Sequence, residues 1–290
     1  MPDSTTSTPK NILLVFAEQW RFDCLGEAGS SQTAETPFLM QLVHEGIRFT
    51  NAYSTAPTCI PTRASMATGR TPHGHGRLGY RDGVRWNYSP TMMECLRDGG
   101  YQTICVGKTH FYPPRKCLGF EQLHLYDNQA PHQSDYHRWL QQESRGTVTD
   151  TAVEISSNAW LAHPWTAPEY LHSNNWCATR AIESLELRDP DRPFFMQLGF
   201  HRPHPPLDPP LSYLQLYEKK QLPPAPVGDW ARAHSRPARK VDDKFGFIDP
   251  VALDRTRKAY YALISHADYQ LGKLIHWMRR NKVLENTVIV

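Results

Sequence analysis

The chain has 290 residues, with 32 Lys and Arg against 29 Asp and Glu, a formal net charge of +3, and 40% hydrophobic residues. That composition excludes wholesale disorder and the fibrous or coiled-coil classes, and so even a charge gives no long-range pull toward nucleic acid or an anionic membrane. No stretch approaches the roughly 20 apolar residues of a membrane span, and residues 1–10 read as a polar, disordered tail without the pattern of a secretory signal. The six cysteines form no C-x-x-C pair, which fits reduced, mostly buried thiols in a cytoplasmic protein.

Residues 11–17 (NILLVFA) are continuous and apolar, as expected of a strand covered on both faces. Thr36-Pro37 starts a helix in which Phe38, Leu39, Leu42 and Val43 recur at helical spacing, and Gly46 ends it. Residues 47–53 predict a second strand. Ser89-Pro90 opens a further helix with Met93 and Leu96 inward, and residues 101–106 return to strand. Residues 111–173 are rich in His, Trp, Tyr and Gln with little periodicity, and are expected as long loops that carry specificity. Residues 174–187 predict a helix and 193–200 a strand. Prolines crowd residues 201–250, which read as irregular chain on the substrate side. Residues 253–280 form one long helix whose inner face is Ala259, Leu263, Ala267, Leu271, Leu274 and Met278, and 286–290 begin a last strand.

Strands alternating with helices imply an α/β fold: a mostly parallel, doubly wound sheet with helices on both faces, read as one domain over 1–290. Ligands in such sheets bind beyond the carboxyl ends of the strands. That directs attention to Glu18-Gln19, Gly107 to His110, and His201 to His204. A fourth segment, Cys59-Ile60-Pro61-Thr62-Arg63 running on to Gly69-Arg70, places a small nucleophile at the start of a short helix. Free N–H groups at such an end suit an anion, and Arg63, one turn on, faces the same side. An inert buried cysteine is the plainer reading of Cys59.

This segment resembles the signature of the type I sulfatases, C-x-P-x-R followed by a small-residue helix ending in T-G-R. Gly107-Lys108-Thr109-His110 resembles that family's G-K-x-H, and His201 to Pro206 its P-H-x-P segment; residues 11–26 and 253–290 resemble its first strand and a later helix and strand. The resemblance implies a sulfuric ester hydrolase, arylsulfatase-like, acting on a small-molecule sulfate ester. It implies that Cys59 is converted to formylglycine by a maturation enzyme and serves as nucleophile and metal contact. Arg63 and Lys108 then hold sulfate and stabilise the nucleophile, His110 assists its second hydroxyl, and His204 contacts sulfate or protonates the leaving group. The metal, Ca²⁺ or Mg²⁺, falls to Glu18, Gln19 and Cys59. Here the sequence departs from the family, which places Asp-Asp or Asp-Gln where this chain has Glu18-Gln19. The family's second metal turn follows the N-T-V-I-V strand, so the resemblance implies a piece of a longer enzyme, lacking a C-terminal subdomain. A phosphonate monoester or phosphodiester hydrolase of the same superfamily and an inactive anion-binding relative are the alternatives.

Other patterns point to structure. Gly74 to Gly79 matches G-x-G-x-x-G but follows no strand and opens no helix, so it reads as a glycine turn. His73 and His75 read as turn lining. Asp23 reads as a turn cap, and Arg279 to Lys282 as complements to a helix dipole.

Overall fold

The computed structural model describes residues 10–26, 34–150, 158–234, 236–243 and 246–290, with the backbone alone for 232–234. The expected tail falls outside these residues apart from Lys10. The strands are β1 (Asn11–Ala17), β2 (Gln102–Lys108), β3 (Gln122–Tyr126), β4 (Phe194–Phe200) and β5 (Thr287–Ile289). The helices are α1 (Pro37–Glu45), α2 (Cys59–Thr68), α3 (Pro72–His75), α4 (Met92–Asp98), α5 (Asp135–Glu143), α6 (Ser173–Glu186), α7 (Leu211–Gln215) and α8 (Pro250–Arg280).

The strands form one sheet in the order β3-β2-β4-β1-β5, every pair parallel. Side chains alternate across it. Leu13, Ile104, Val106, Met196 and Leu198 face a core closed by α5, α6 and α8, through residues such as Leu140, Leu185 and Leu274. Ile12, Leu14, Cys105 and Phe195 face the opposite core, closed by α2 and α4 through Ile60, Ala64 and Met93. Continuous apolar sequence in β1 and β4 follows from this burial on both faces. The inner face expected of the last long helix is buried throughout. Asp268 on α8 also accepts the Phe38 and Leu39 N–H groups at 3.1 and 2.8 Å, capping α1. No helix among the described residues is long and apolar enough to cross a membrane.

Two expectations need correcting. Residues 47–53 form no strand, and Ile47, Phe49 and Tyr53 are 84%, 79% and 87% exposed. Alternating apolar side chains favour a strand only where a ladder and a packed face receive them, and none of the described strands pairs with this segment. Residues 111–173 are also not all loop, since they contain β3 and α5. In α5, Tyr136 and Leu140 are buried one turn apart, and the Ser134 hydroxyl accepts the His137 N–H as N-cap. Polar and aromatic neighbours hide that short period. The fourth helix begins two residues later than Ser89-Pro90 suggests, because Thr91 and Glu94 close a capping box. The expected glycine turn is a turn only from Gly76, φ +79°; His73, Gly74 and His75 belong to α3, which the cap at Thr71 starts and Gly76 ends. His75 bonds the Ser65 hydroxyl at 2.9 Å, as a structural histidine.

Candidate active site

The carboxyl ends of β1, β2 and β4 meet at one edge of the sheet, beside the N-terminus of α2. The β1–β4 ladder runs one residue past β1, where the Glu18 N–H donates to the Phe200 carbonyl at 3.1 Å. The chain then turns at Gln19, which has φ +59° and whose carbonyl accepts the Tyr260 hydroxyl at 2.6 Å. This turn sends Glu18 inward, 4% exposed, and leaves Gln19 exposed. Between β2 and β4 the backbones touch at glycines: a Cβ on Gly107, whose φ is +100°, would lie 2.0 Å from the Gly199 carbonyl oxygen. Only glycine permits that approach, and it brings Lys108 and His110 against the segment after β4.

Glu18 is the centre of the charge arrangement. Arg63 Nη2 donates to its Oε2 at 2.5 Å and Lys108 Nζ stands 3.4 Å from the same oxygen. Arg63 Nη1 donates to the Lys108 carbonyl at 2.7 Å, and its guanidinium lies over the Phe16 ring. Burial alone would raise the Glu18 pKa, but Arg63 and Lys108 outweigh it and hold the carboxyl at about 2. With Glu18 ionised, the three charges leave one net positive charge. Burial lowers Lys108, against the pull of Glu18. His110 and His204 are both lowered to about 4 by burial and then by Lys108, so both rings are neutral at pH 7. His204 Nδ1 lies 2.7 Å from the Pro205 carbonyl. A carbonyl only accepts, so Nδ1 carries the proton and Nε2 keeps a lone pair. Cys59 opens α2 without a side-chain cap from Thr58. Burial, then the Glu18 charge, pushes its thiol up, so the thiolate is disfavoured despite the helix end.

Glu18, Cys59 and His110 bring one donor atom each within 4.8 Å of one another. Arg63 and Lys108 join them through Glu18, and His204 is close enough to act on the Glu18 charge. Gln19 stands at the rim. As a metal set the cluster has one hard donor, the Glu18 carboxylate. A thiol and an imidazole are softer, so Ca²⁺ or Mg²⁺ suits this site through Glu18 and through position 59 once that carries oxygen.

Several functional neighbours carry no local sequence signal. Asp82 lies 3.3 Å from His110 Nε2. Arg202, between the two histidines, is wholly buried and makes paired bonds to Asp208 at 2.8 and 2.7 Å, with Asp150 at 3.4 Å and the Tyr126 hydroxyl at 3.0 Å. Tyr126 in turn stacks on His201, whose ring meets His204 at a tilt, centroids 4.6 Å apart. The turn after β4 is thus fixed from behind by a buried ionic network.

A family model described as Sulfatase matches residues 10–290. The chain belongs to the sulfatase family. It is 38% identical to an arylsulfatase of Clostridium perfringens, over 97% of this chain and 61% of that protein. It is 28% identical to a choline-sulfatase of Rhizobium meliloti, over 99% of this chain and 57% of that one. This sulfatase chain therefore spans about 60% of the length of these relatives. Its fold is shared with a phosphonate monoester hydrolase of Agrobacterium radiobacter, at TM-score 0.79 and 24% identity over 97% of this chain and 61% of that one.

Proposed function

We propose that this chain carries the catalytic face of a sulfuric ester hydrolase that cleaves a small-molecule sulfate monoester, an aryl sulfate in the first instance. The observation that carries the reading is the convergence of Cys59 with Arg63, Lys108, His110, His204 and Glu18 beyond three adjacent parallel strands. A sulfate monoester bears one negative charge, which matches the single net positive charge of the Arg63–Lys108–Glu18 group. Because that group is buried and fixed by hydrogen bonds, it stabilises charge developing on the sulfuryl oxygens without reorganising.

As a thiol, Cys59 is poorly suited to attack, since its surroundings disfavour the thiolate. Formylglycine at this position, made by a maturation enzyme of the host, supplies a hydrated aldehyde whose first hydroxyl attacks sulfur and whose second later releases sulfate. A divalent cation held by Glu18 and position 59 would supply Lewis-acid polarisation. Lys108 Nζ holds the sulfate by charge. Arg63, engaged by Glu18 and by the Lys108 carbonyl, shapes the site more than it grips the substrate. The resting His204 offers a lone pair at Nε2, and a bound anion facing the ring raises its affinity for the proton the departing oxygen needs.

The test is turnover of an aryl sulfate by protein produced with a formylglycine-generating enzyme, with the peptide around position 59 weighed for an aldehyde. The expected result is activity that needs the aldehyde, is removed by chelator and is lost in Cys59→Ala. A Cys59→Ala variant with undiminished turnover refutes the proposal. An aryl phosphonate assayed in parallel separates the sulfatase reading from phosphonate monoester hydrolysis.

A further inference from the structure

The turn Tyr80-Arg81-Asp82-Gly83 has no part in the chemistry above, yet it is built against His110. Asp82 Oδ1 lies 3.3 Å from His110 Nε2. The Tyr80 ring meets the His110 ring edge to face at 5.9 Å, and the Gln129 side-chain amide donates to the Tyr80 hydroxyl at 3.1 Å. Tyr80, held by Gln129, therefore braces the His110 ring on one side while Asp82 meets its Nε2 on another. His110 itself has φ +61°, a conformation a residue with a Cβ adopts only where its surroundings enforce it. Its Nδ1 is buried and has no hydrogen-bond partner among the described residues.

A carboxylate oxygen only accepts, so the Asp82 contact needs the proton on Nε2, and the neutral ring then keeps a lone pair at Nδ1. We infer that Asp82 is a positioning residue: with the Tyr80 ring packed against the imidazole, it fixes His110 as the Nε2–H tautomer and leaves Nδ1 as the ring's proton acceptor, in a cluster where a His110 nitrogen lies within 4.8 Å of Cys59. The chemical role rests on the sulfate-ester reading. In that role the hydroxyl O–H of the modified residue 59 breaks, its proton passes to Nδ1, and the imidazolium charge is shared with the Asp82 carboxylate. The tautomer does not rest on that reading. A cavity of about 180 Å³ lined by Asp82, Trp86 and His110 adjoins the dyad, so it lies where a leaving group has room.

The experiment has two arms. The chain is labelled with ¹⁵N-histidine, and the His110 signals are assigned by their loss in His110→Gln. The expected neutral-pH spectrum shows Nε2 protonated and Nδ1 bare, and Asp82→Ala shifts it to a mixture of tautomers. A protonated Nδ1 in the wild type, or a His110 spectrum unchanged in Asp82→Ala, overturns the inference. In the second arm, with the aldehyde present, Asp82→Ala lowers kcat on an aryl sulfate by about 10- to 100-fold, the usual effect of losing a carboxylate behind a functional histidine. KM changes little, and Asp82→Glu recovers part of the loss. A rise in KM alone, or no recovery by Glu, counts against it. If the wild type turns over no sulfate ester, the sulfatase reading fails while the labelled spectra still decide the placement of Asp82.

Discussion

Replacing Arg202 by Met tests the buried network behind the His201–His204 turn. The arginine is 0% exposed and bonds Asp208 through two nitrogens, and Asp150 and Tyr126 complete its shell. Burial by itself would raise the Asp208 carboxyl, but Arg202 overrides it and holds the pKa at about 2, against 3.8 in the unfolded chain. At about 1.4 kcal/mol per pKa unit this favours the ionised pair by roughly 2 kcal/mol. Removing one partner costs more than that, because a buried carboxylate is left unpaired, and breaking such pairs typically costs about 3–5 kcal/mol. Urea unfolding at pH 7 is therefore expected to show a loss of that size in Arg202→Met. The double variant Arg202→Met/Asp208→Leu should regain at least half of it, since apolar replacement of both partners is often tolerated. The pH dependence has a fixed sign. The folded pKa lies below the unfolded one, so the contribution is complete above about pH 4 and disappears as pH falls toward 2. A loss under about 1 kcal/mol in the single variant, or a double variant no better than it, would refute this account of the network.

Gly107→Ala is expected to abolish soluble folding or to cost several kcal/mol, because the new Cβ meets the Gly199 carbonyl at 2.0 Å and φ is +100°; thermal unfolding close to wild type would show that β2 and β4 part easily at this point. Asp268 gives the opposite pH sign to Asp208. Burial raises its carboxyl to about 6, so its contribution is complete below about pH 4 and is lost as pH rises through 6. Measured against Asp268→Asn, wild-type stability should fall by roughly 2–3 kcal/mol between pH 4 and pH 7, and a flat difference would mean that the two N–H groups of α1 fully compensate the buried charge.

Much of the fold could be read from the chain because its strands are buried on both faces. Asn11–Ala17 is apolar after Asn11 and Phe194–Phe200 apolar except at Gln197, and α8 repeats its inner residues from Ala259 to Met278 over about five turns, so neither pattern has a rival. Strand β3 reads Gln-Leu-His-Leu-Tyr at the sheet edge, where partial burial permits polar side chains, and its signal is correspondingly weak. Residues 47–53 fail for the converse reason: their composition suits a strand, but pairing is decided by a neighbour elsewhere in the chain. The site divides in the same way. Glu18, Cys59, Lys108 and His204 each end or follow a strand or open a helix, so local pattern marks them. Asp82 reaches His110 across 28 positions, and Arg202 finds Tyr126 across 76. Such partners are fixed by where strands end in space, which spacing along the chain does not encode.

The order of strands in the sheet has a consequence for the timing of synthesis. Among the described strands β1 is made first, and it pairs there with β4 and β5, the Phe194 N–H reaching Asn11 across 183 residues. At about 5–20 residues per second, β1 waits roughly 10–40 s before β4 exists to receive it. Through that interval the segment NILLVFA is an unpaired apolar strand on a growing chain. Production of this protein is therefore expected to depend on factors that shield emerging strands, and to suffer most from conditions that slow translation between β1 and β4.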